Sequence, residues 1–196
     1  MYNKKSLHQP LSLFSQWFEE EQKVSEVRIP TAVCLSTIGL DNFPNARFVS
    51  FKKLVEDCLI ITGPLNSRKG IEIENNAHVA LTFWWTATER QIRIQGLATK
   101  ISEQLADNYF NDRHVNAQAV STICEQGKET YDAQQLEKRV LKMVSDKTKI
   151  TRPQNWGGFS INPTRIEFME FKETRFHYRR LYERENGEWQ VKQLQP

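Results

Sequence analysis

Five short runs of strand-forming residues follow one another in the first half of the chain, and they constrain its fold more than any other feature. The runs cover residues 31–37, 45–53, 58–62, 79–85 and 91–101. In the run at 45–53 apolar residues alternate with basic ones, so we expect one face to be buried and the other to be available to a ligand. This many consecutive short strands predict a small β-barrel or sandwich.

Helices and a second set of strands complete the pattern. Apolar residues at helical spacing predict a helix over 10–23, and three more helices are predicted between residues 102 and 145. Strands are predicted again at 165–171, 176–184 and 189–193, with a hairpin turn at Glu185-Asn186-Gly187. We expect a single, mainly β domain with helices (α+β) over residues 1–196, made of an N-terminal helix (1–25), the strands of the barrel, a helical insertion (102–147), a loop (146–154) and C-terminal strands (156–196).

Composition excludes several classes of protein. The chain has 196 residues, 39% of them hydrophobic, and a net charge of +3, which is too small to indicate a nucleic-acid-binding surface. No apolar run approaches the roughly 18 residues that a membrane span needs, and residues 1–10 lack the apolar core of a signal peptide. We therefore expect a cytoplasmic protein without nucleic-acid or membrane partners. The three cysteines are far apart in the sequence and form no CxxC motif, so they predict no metal site. We expect Cys34 and Cys58 to be core residues.

The segment Ser67-Arg68-Lys69 follows an apolar strand and opens a predicted helix at residues 70–76. A hydroxyl, two cations and free backbone N–H groups at a helix N-terminus suit a phosphate, although a solvated helix start is the alternative. Arg47 and Lys52 add two further cations on the alternating strand. Because residues five apart on a strand point to opposite faces, these two share one site only if the strand bends or a ligand wraps its end.

Arg175, His177 and Arg179 form a second basic pattern near the C-terminus. Arg175 comes directly before the predicted strand 176–184, and His177 and Arg179 lie in it. Because the three are spaced two residues apart, they would share one face of an extended chain. Like charges on one face suggest an anionic ligand. The alternative for His177 is a hydrogen-bonded structural histidine.

Five motifs occur in order along nearly the whole chain: Arg47-x-Val49-x-x-Lys52, Ser67-Arg68-Lys69, Glu89-Arg90-Gln91, Trp156-Gly157-Gly158-Phe159 and Arg175-x-His177-x-Arg179. Together they resemble the pyridoxamine 5′-phosphate oxidase family. The resemblance implies a split β-barrel, a homodimer, and one FMN per subunit at the dimer interface. It also implies oxidation of pyridoxamine or pyridoxine 5′-phosphate to pyridoxal 5′-phosphate, with dioxygen as the electron acceptor.

The resemblance also implies roles for individual residues. FMN would be held by residues on the second and third strands, at the helix start and from the partner chain: Arg47, Phe48, Val49, Ser50, Phe51, Lys52, Thr62, Gly63, Ser67, Arg68, Lys69, Gln91, Gln126 and Arg179. Of these, Gln126 and Arg179 would reach FMN from the partner. The substrate would be bound by Lys52, Tyr109, Arg113, Arg175 and His177, with Arg175 and His177 over its ring as the catalytic pair.

Several positions depart from the family pattern. Ile29, Ala117 and Met169 stand where the family has an aspartate, a serine that helps to hold the substrate phosphate, and a flavin-contacting tryptophan. Thr62-Gly63 replaces an aromatic-polar pair, and we expect the chain to lack the N-terminal segment that closes over the substrate. Three functions follow: the oxidase itself, a related FMN oxidoreductase for another flat ring such as a phenazine-like compound, or a flavin-binding protein without turnover.

Overall fold

The computed structural model describes residues 9–146 and 148–196. The chain runs through α1 (Gln9–Val24), β1 (Ala32–Ile38), β2 (Pro44–Val55), β3 (Cys58–Pro64), α2 (Arg68–Asn75), β4 (His78–Trp85), β5 (Arg90–Lys100), α3 (Glu103–Asn111), α4 (Val115–Ile123), α5 (Ala133–Ser145), β6 (Trp156–Glu170), β7 (Tyr178–Glu185) and β8 (Glu188–Leu194). None of these helices is long and apolar enough to span a membrane.

Six of the strands close into a barrel. The sheet runs in the order β3-β2-β1-β4-β5-β6-β7-β8, and an additional pairing between β3 and β6 joins the two ends of the first six strands. β7 and β8 extend from β6 as an antiparallel ribbon. The predicted mainly β fold with helices, a split barrel, is therefore confirmed.

β6 is the strand that makes this arrangement possible. Its first part pairs with β3 from Trp156 to Ile161, and its last part pairs with β7 from Arg165 to Glu170. Backbones approach closely at the first of these seams, because a Cβ atom on Gly158 would lie 2.3 Å from the carbonyl oxygen of Ile61. The sequence prediction of a strand at 165–171 was too short at its N-terminal end, because glycines and Pro163 weaken the strand signal there.

The main core fills the barrel and continues under α1. Phe14 of α1 packs edge-on against Phe51 and Phe83, with ring centroids 5.5 and 5.1 Å apart. Polar contacts fix the same helix, since the buried Glu21 accepts hydrogen bonds from the backbone N–H and the hydroxyl of Thr88 at 3.0 and 2.8 Å. The part of the predicted N-terminal helix that falls in residues 1–8 lies outside the described residues.

A second core cluster joins the helices to the barrel wall, and it includes Tyr109, Phe110 and Trp156. The expectation that Cys34 and Cys58 are core residues was wrong. Both are only half-buried. In β1 the buried side chains are those of Val33, Leu35 and Thr37, so the alternation of the strand turns Cys34 to the outer face.

Candidate active site

A cleft of about 300 Å³ lies between β2, β3, the start of α2 and the end of α4. We call it the anion cleft. Seven of the residues predicted to hold the cofactor line it: Arg47, Phe48, Val49, Thr62, Gly63, Lys69 and Gln126. Arg113, predicted to bind the substrate, also lines it, together with Ser121, Cys124 and Trp156. The structure thus brings together residues that are far apart in the sequence.

Lys69 is the buried cation of this cleft. It lies in the first turn of α2, and its ammonium donates hydrogen bonds to Ser67 Oγ at 2.9 Å and to Gln126 Oε1 at 2.6 Å. Burial, together with the charge of Arg47, lowers the pKa of Lys69 to about 8. Gly63 makes room for this side chain, because a Cβ atom there would lie 3.2 Å from Lys69 Cε. Such a group gains most from a ligand that brings negative charge.

Glu72 is a buried carboxylate that pairs with two arginines near Lys69, Arg47 and Arg68. It accepts hydrogen bonds from Thr37 Oγ1 at 2.6 Å and from Asn45 Nδ2 at 2.7 Å. It also forms ion pairs with Arg47 Nη2 at 2.9 Å and with Arg68 Nε at 2.8 Å. Burial by itself would raise the pKa of Glu72, but the hydrogen bonds from Thr37, Arg68 and Arg47 outweigh it and lower the pKa. Glu72 therefore fixes the direction of both guanidinium groups.

Arg68 lies apart from the anion cleft. Its guanidinium is turned between Glu72 and Asp41 and borders a neighbouring depression that includes Leu40 and Ile71. Phe51 is buried in the barrel core, so any contact it makes with a ligand is through its backbone. The resemblance implies that Gln126 contacts FMN from the partner chain. In the structure, the turn after α4 places the Gln126 side chain beside Lys69 of its own chain.

Arg113 and Trp156 also belong to the lining of the anion cleft. The guanidinium carbon of Arg113 lies 4.9 Å from the centre of the Trp156 ring, and its Nη1 donates to Ser121 Oγ at 2.7 Å. Lys52 lies in an irregular stretch of β2, since the register with β3 shifts between Phe51 and Leu54. Burial, and then the charge of Arg113, lowers the pKa of Lys52. Lys52 does not line the anion cleft, so the irregular stretch does not by itself bring Lys52 and Arg47 to one site.

Tyr109 does not reach this cleft. It belongs to the helical core cluster, and its ring lies 5.7 Å from Lys53 Nζ. Its buried hydroxyl has no hydrogen-bond partner among residues 9–146 and 148–196. A substrate phosphate held by Arg113 would therefore not meet this hydroxyl without a movement of the side chain.

A second cleft, of about 480 Å³, contains the predicted catalytic pair, and we call it the aromatic cleft. Arg175 and His177 line it with Trp84 and Phe171. The prediction that Arg175 and His177 share a strand face with Arg179 was wrong: β7 begins only at Tyr178, and Arg175 has a φ of 65° in a tight turn. His177 closes this turn, since its Nδ1 accepts from the backbone N–H of Lys172 at 3.0 Å, which leaves the proton of the neutral ring on Nε2.

Gln91 and Arg179 lie on the wall of the sheet beside the aromatic cleft. In the strand register Gln91 is opposite Met169, and Met169 is opposite Arg179, so the three form a row across β5, β6 and β7. Arg179 is paired with the buried Glu167 at 2.6 Å, and Arg93 reaches the other oxygen of the same carboxylate at 3.3 Å. Within one subunit, seven predicted cofactor residues and Arg113 therefore line the anion cleft, Arg175 and His177 line the aromatic cleft, and the other predicted site residues line neither.

Comparison with known proteins settles the family. The profile of pyridoxamine 5′-phosphate oxidase matches residues 20–145, and that of the pyridoxine 5′-phosphate oxidase C-terminal dimerisation region matches residues 156–196. The chain belongs to the pyridoxamine 5′-phosphate oxidase family. Pyridoxine/pyridoxamine 5′-phosphate oxidase from Leptospira biflexa is 36% identical over 189 residues, which cover 95% of this chain and 89% of that protein. The protein of the same name from Nostoc punctiforme is 36% identical over 190 residues, covering 95% and 88%.

Among solved structures, PhzG from Burkholderia lata in complex with tetrahydrophenazine-1-carboxylic acid is similar with a TM-score of 0.91 and 27% identity, over 100% of this chain and 98% of that one. Members of the pyridoxamine 5′-phosphate oxidase family are FMN-dependent oxidoreductases, and FMN is the cofactor that membership brings to this chain. The donor set of the anion cleft fits the phosphate of this group: Lys69 is buried, hydrogen-bonds only neutral oxygens within the described residues, and lies at a helix N-terminus.

Sequence reasoning missed several residues in and around the two clefts, among them Glu72, Ser121 and Trp84. Glu72 had a signal, because it lies four residues after Arg68 on the same helix, a spacing at which opposite charges pair. Ser121 and Trp84 had none. They come beside Arg113 and Arg175 through the turn between α3 and α4 and through the pairing of β4, β5 and β6.

Proposed function

We propose that this protein oxidises pyridoxamine or pyridoxine 5′-phosphate to pyridoxal 5′-phosphate with FMN as cofactor and dioxygen as the final electron acceptor. The observation that carries the proposal is the anion cleft, which is lined by Arg47, by Arg113 and by a buried lysine, Lys69, with neutral hydrogen-bond partners. The cleft contains cations for two anionic groups, the phosphate of the cofactor and that of the substrate. Arg47 and Lys69 line the cleft and would bind the cofactor phosphate, and Arg113 also lines it and would bind the phosphate of the substrate.

FMN, when bound, accepts the two electrons that the substrate gives up. The protein contributes orientation and electrostatics. Lys69, Ser67 and Gln126 would fix the cofactor phosphate, and Arg113 with Lys52 would fix the acidic group of the substrate. Holding a substrate by a remote anion lowers the entropic cost of placing its reacting carbon. Arg175 and His177 would orient the substrate ring; His177 has its Nε2 proton available as a hydrogen-bond donor.

We further propose that the enzyme acts as a homodimer in which each active site contains the anion cleft of one subunit and the aromatic cleft of the other. The match to a C-terminal dimerisation region over residues 156–196 supports this assembly, because Arg175 and His177 lie in that region. The division of the predicted site residues between two clefts supports it as well. We place the enzyme in the cytoplasm, where the reducing conditions suit its three free cysteines.

The function is tested by mixing the FMN-loaded protein with pyridoxamine or pyridoxine 5′-phosphate in the absence of air. We expect loss of the visible flavin absorbance, its recovery on admission of air, and formation of pyridoxal 5′-phosphate. Unphosphorylated pyridoxine should act at least 10-fold more weakly, because it forgoes a charge-assisted hydrogen bond with Arg113. No change in absorbance with either phosphorylated compound would refute the proposal.

A second candidate is an oxidoreductase for another flat ring that carries a carboxylate. The likeness to PhzG over the full chain favours it, as do Ala117 and Met169 at positions where the oxidase pattern differs. The same experiment with a dihydrophenazine carboxylic acid separates the two. Reduction of the flavin by that compound and not by the pyridoxine phosphates would assign the second function, and reduction by neither would leave a flavin-binding protein without turnover.

The pKa of Lys69 predicts how FMN binding depends on pH. Below about pH 8 the ammonium is protonated and attracts the cofactor phosphate, whereas above it the free protein has lost this charge. The phosphate itself stays dianionic over this range, since its second pKa is about 6. FMN affinity should therefore fall as the pH rises through about 8, and binding above that pH should take up a proton. Fluorescence titrations at several pH values measure this, and a Lys69→Met variant should show a flat profile.

A further inference from the structure

Ser121 is a polar residue of the anion cleft to which the family pattern gives no role. It lies on α4, and its hydroxyl oxygen accepts a hydrogen bond from Arg113 Nη1 at 2.7 Å. Both residues line the cleft, as does Trp156. The guanidinium carbon of Arg113 lies 4.9 Å from the centre of the Trp156 ring. Because the serine oxygen is the acceptor in this contact, its proton remains for an acceptor in the cleft.

Ala117 occupies the position where the family has a serine for the substrate phosphate. Positions 117 and 121 lie one helical turn apart on the same face of α4, and the hydroxyl of Ser121 contacts Arg113. In this chain Ser121 lines the cleft and Ala117 does not. The hydroxyl absent from position 117 is thus present one turn further along the helix, in the cleft that Gln126 and Arg47 also line.

The corner between α3 and α4 holds this pair in place. The side-chain amide of Gln118 donates to the carbonyl oxygens of Phe110, Asn111 and Arg113 at 3.0, 3.2 and 3.0 Å. His114 caps the start of α4 through a hydrogen bond from the backbone N–H of Asn116 at 3.3 Å. The backbone on both sides of Arg113 is therefore fixed relative to Ser121, and a ligand does not have to order it.

No carboxylate is paired with Arg113 in the part of the chain that the structure describes. A guanidinium that is half-buried against an aromatic ring, with one N–H on a serine and others directed to a cleft, suits an oxyanion that can accept two hydrogen bonds. We propose, on the basis of the function proposed above, that Arg113 and Ser121 together bind the acidic group of the substrate, a phosphate or a carboxylate. Ser121 supplies the hydroxyl that position 117 lacks.

The experiment compares the binding of pyridoxal 5′-phosphate with that of pyridoxal to the FMN-loaded dimer by calorimetry. Ser121→Ala should weaken binding of the phosphorylated compound about 5- to 10-fold, the usual effect of one lost hydrogen bond. Binding of pyridoxal should not change. Ser121→Thr keeps the hydroxyl and should retain affinity. Thr122→Ala is the matched control, because this neighbouring hydroxyl is exposed and donates to the carbonyl oxygen of Gln118 at 3.0 Å.

A substitution at position 117 tests whether a hydroxyl there still adds to substrate binding. If the hydroxyl has moved to Ser121, Ala117→Ser should leave the affinity for pyridoxal 5′-phosphate unchanged. Tighter binding by Ala117→Ser together with no effect of Ser121→Ala would overturn the proposal. An equal loss for pyridoxal 5′-phosphate and pyridoxal in Ser121→Ala would also overturn it, since that result indicates a structural role.

The outcome is separable from that of the proposed function. If the wild type discriminates pyridoxal 5′-phosphate from pyridoxal and Ser121→Ala does so equally well, the role of Ser121 is rejected and the proposed function is unaffected. If the wild type does not discriminate, the same pair of titrations is made with phenazine-1-carboxylate and phenazine. A preference for the carboxylate that Ser121→Ala abolishes supports the anion site while rejecting the pyridoxine substrates. The absence of any preference for either acid rejects the anion site.

Discussion

Replacement of Lys69 by methionine is expected to weaken FMN binding about 10- to 100-fold, because it removes a charge-assisted hydrogen bond worth about 1.5–3 kcal/mol. Lys69 is the buried cation of the anion cleft, with its ammonium 2.6 Å from Gln126 Oε1 and 2.9 Å from Ser67 Oγ. Methionine keeps most of the side-chain volume. Since an unpaired buried charge opposes folding, the free variant should be as stable as the wild type or more so. Quenching of flavin fluorescence gives the affinity, and thermal unfolding gives the stability.

Riboflavin is the matched ligand for this experiment, because it has the same ring and no phosphate. Lys69→Met should bind riboflavin as the wild type does, so the preference for FMN should largely disappear. Lys100→Met is the matched variant. It removes an exposed lysine at the end of β5 that pairs with Glu74 of α2 at 2.7 Å, and it should leave FMN binding unchanged. An unaltered FMN affinity in Lys69→Met would place the cofactor phosphate elsewhere.

Replacement of Glu72 by alanine is expected to lower the free energy of unfolding by about 3–5 kcal/mol, the usual cost of breaking a buried ion pair by removing one partner. Only 2% of the Glu72 side chain is exposed, and four side chains donate to it. Arg47 would then keep a partly buried charge without its carboxylate. For a chain of this length the melting temperature should fall by about 6–20 °C. Scanning calorimetry or denaturant unfolding measures the change.

Glu74→Ala is the control, since this exposed residue lies on the same helix, and its effect should stay within about 0.5 kcal/mol. The pH dependence adds a second check. Because the pKa of Glu72 is lowered in the folded protein, its contribution is complete above the ordinary value of 4.5 and is lost as the pH falls below it. The difference between the wild type and Glu72→Ala should shrink accordingly in acid. A difference that is small at neutral pH would mean that Arg47 and Arg68 are held by other groups.

The two variants also separate two roles that the sequence joined. Ser67-Arg68-Lys69 was predicted as one phosphate-binding unit, but the structure gives its two cations different partners. Arg68 turns to Glu72 and Asp41, whereas Lys69 turns into the anion cleft. Lys69→Met should therefore alter ligand binding and spare the fold, and Glu72→Ala should alter the fold first.

The sequence by itself determined the features that depend on near neighbours. Alternation along residues 45–53 and 91–101 predicted β2 and β5, and helical periodicity predicted α1, because burial of one face imposes a local repeat. The order of the motifs predicted the family and hence FMN, since each motif is a short local unit. The site residues on β2, on β3 and at the start of α2 followed in the same way, and seven of the residues expected to hold the cofactor line one cleft.

Only the tertiary structure decided what depends on distant parts of the chain. The length of β6 is set by its pairing with β3 as well as with β7, and no local pattern in its glycine-containing first half reports that. The turn at Arg175 replaced a predicted strand because His177 accepts a hydrogen bond from Lys172 across it. Ser121 reached Arg113, and Gln126 reached Lys69, through the path of α4. These contacts join residues whose side chains have no periodic relation in the sequence, so packing of the helices on the barrel had to bring them together.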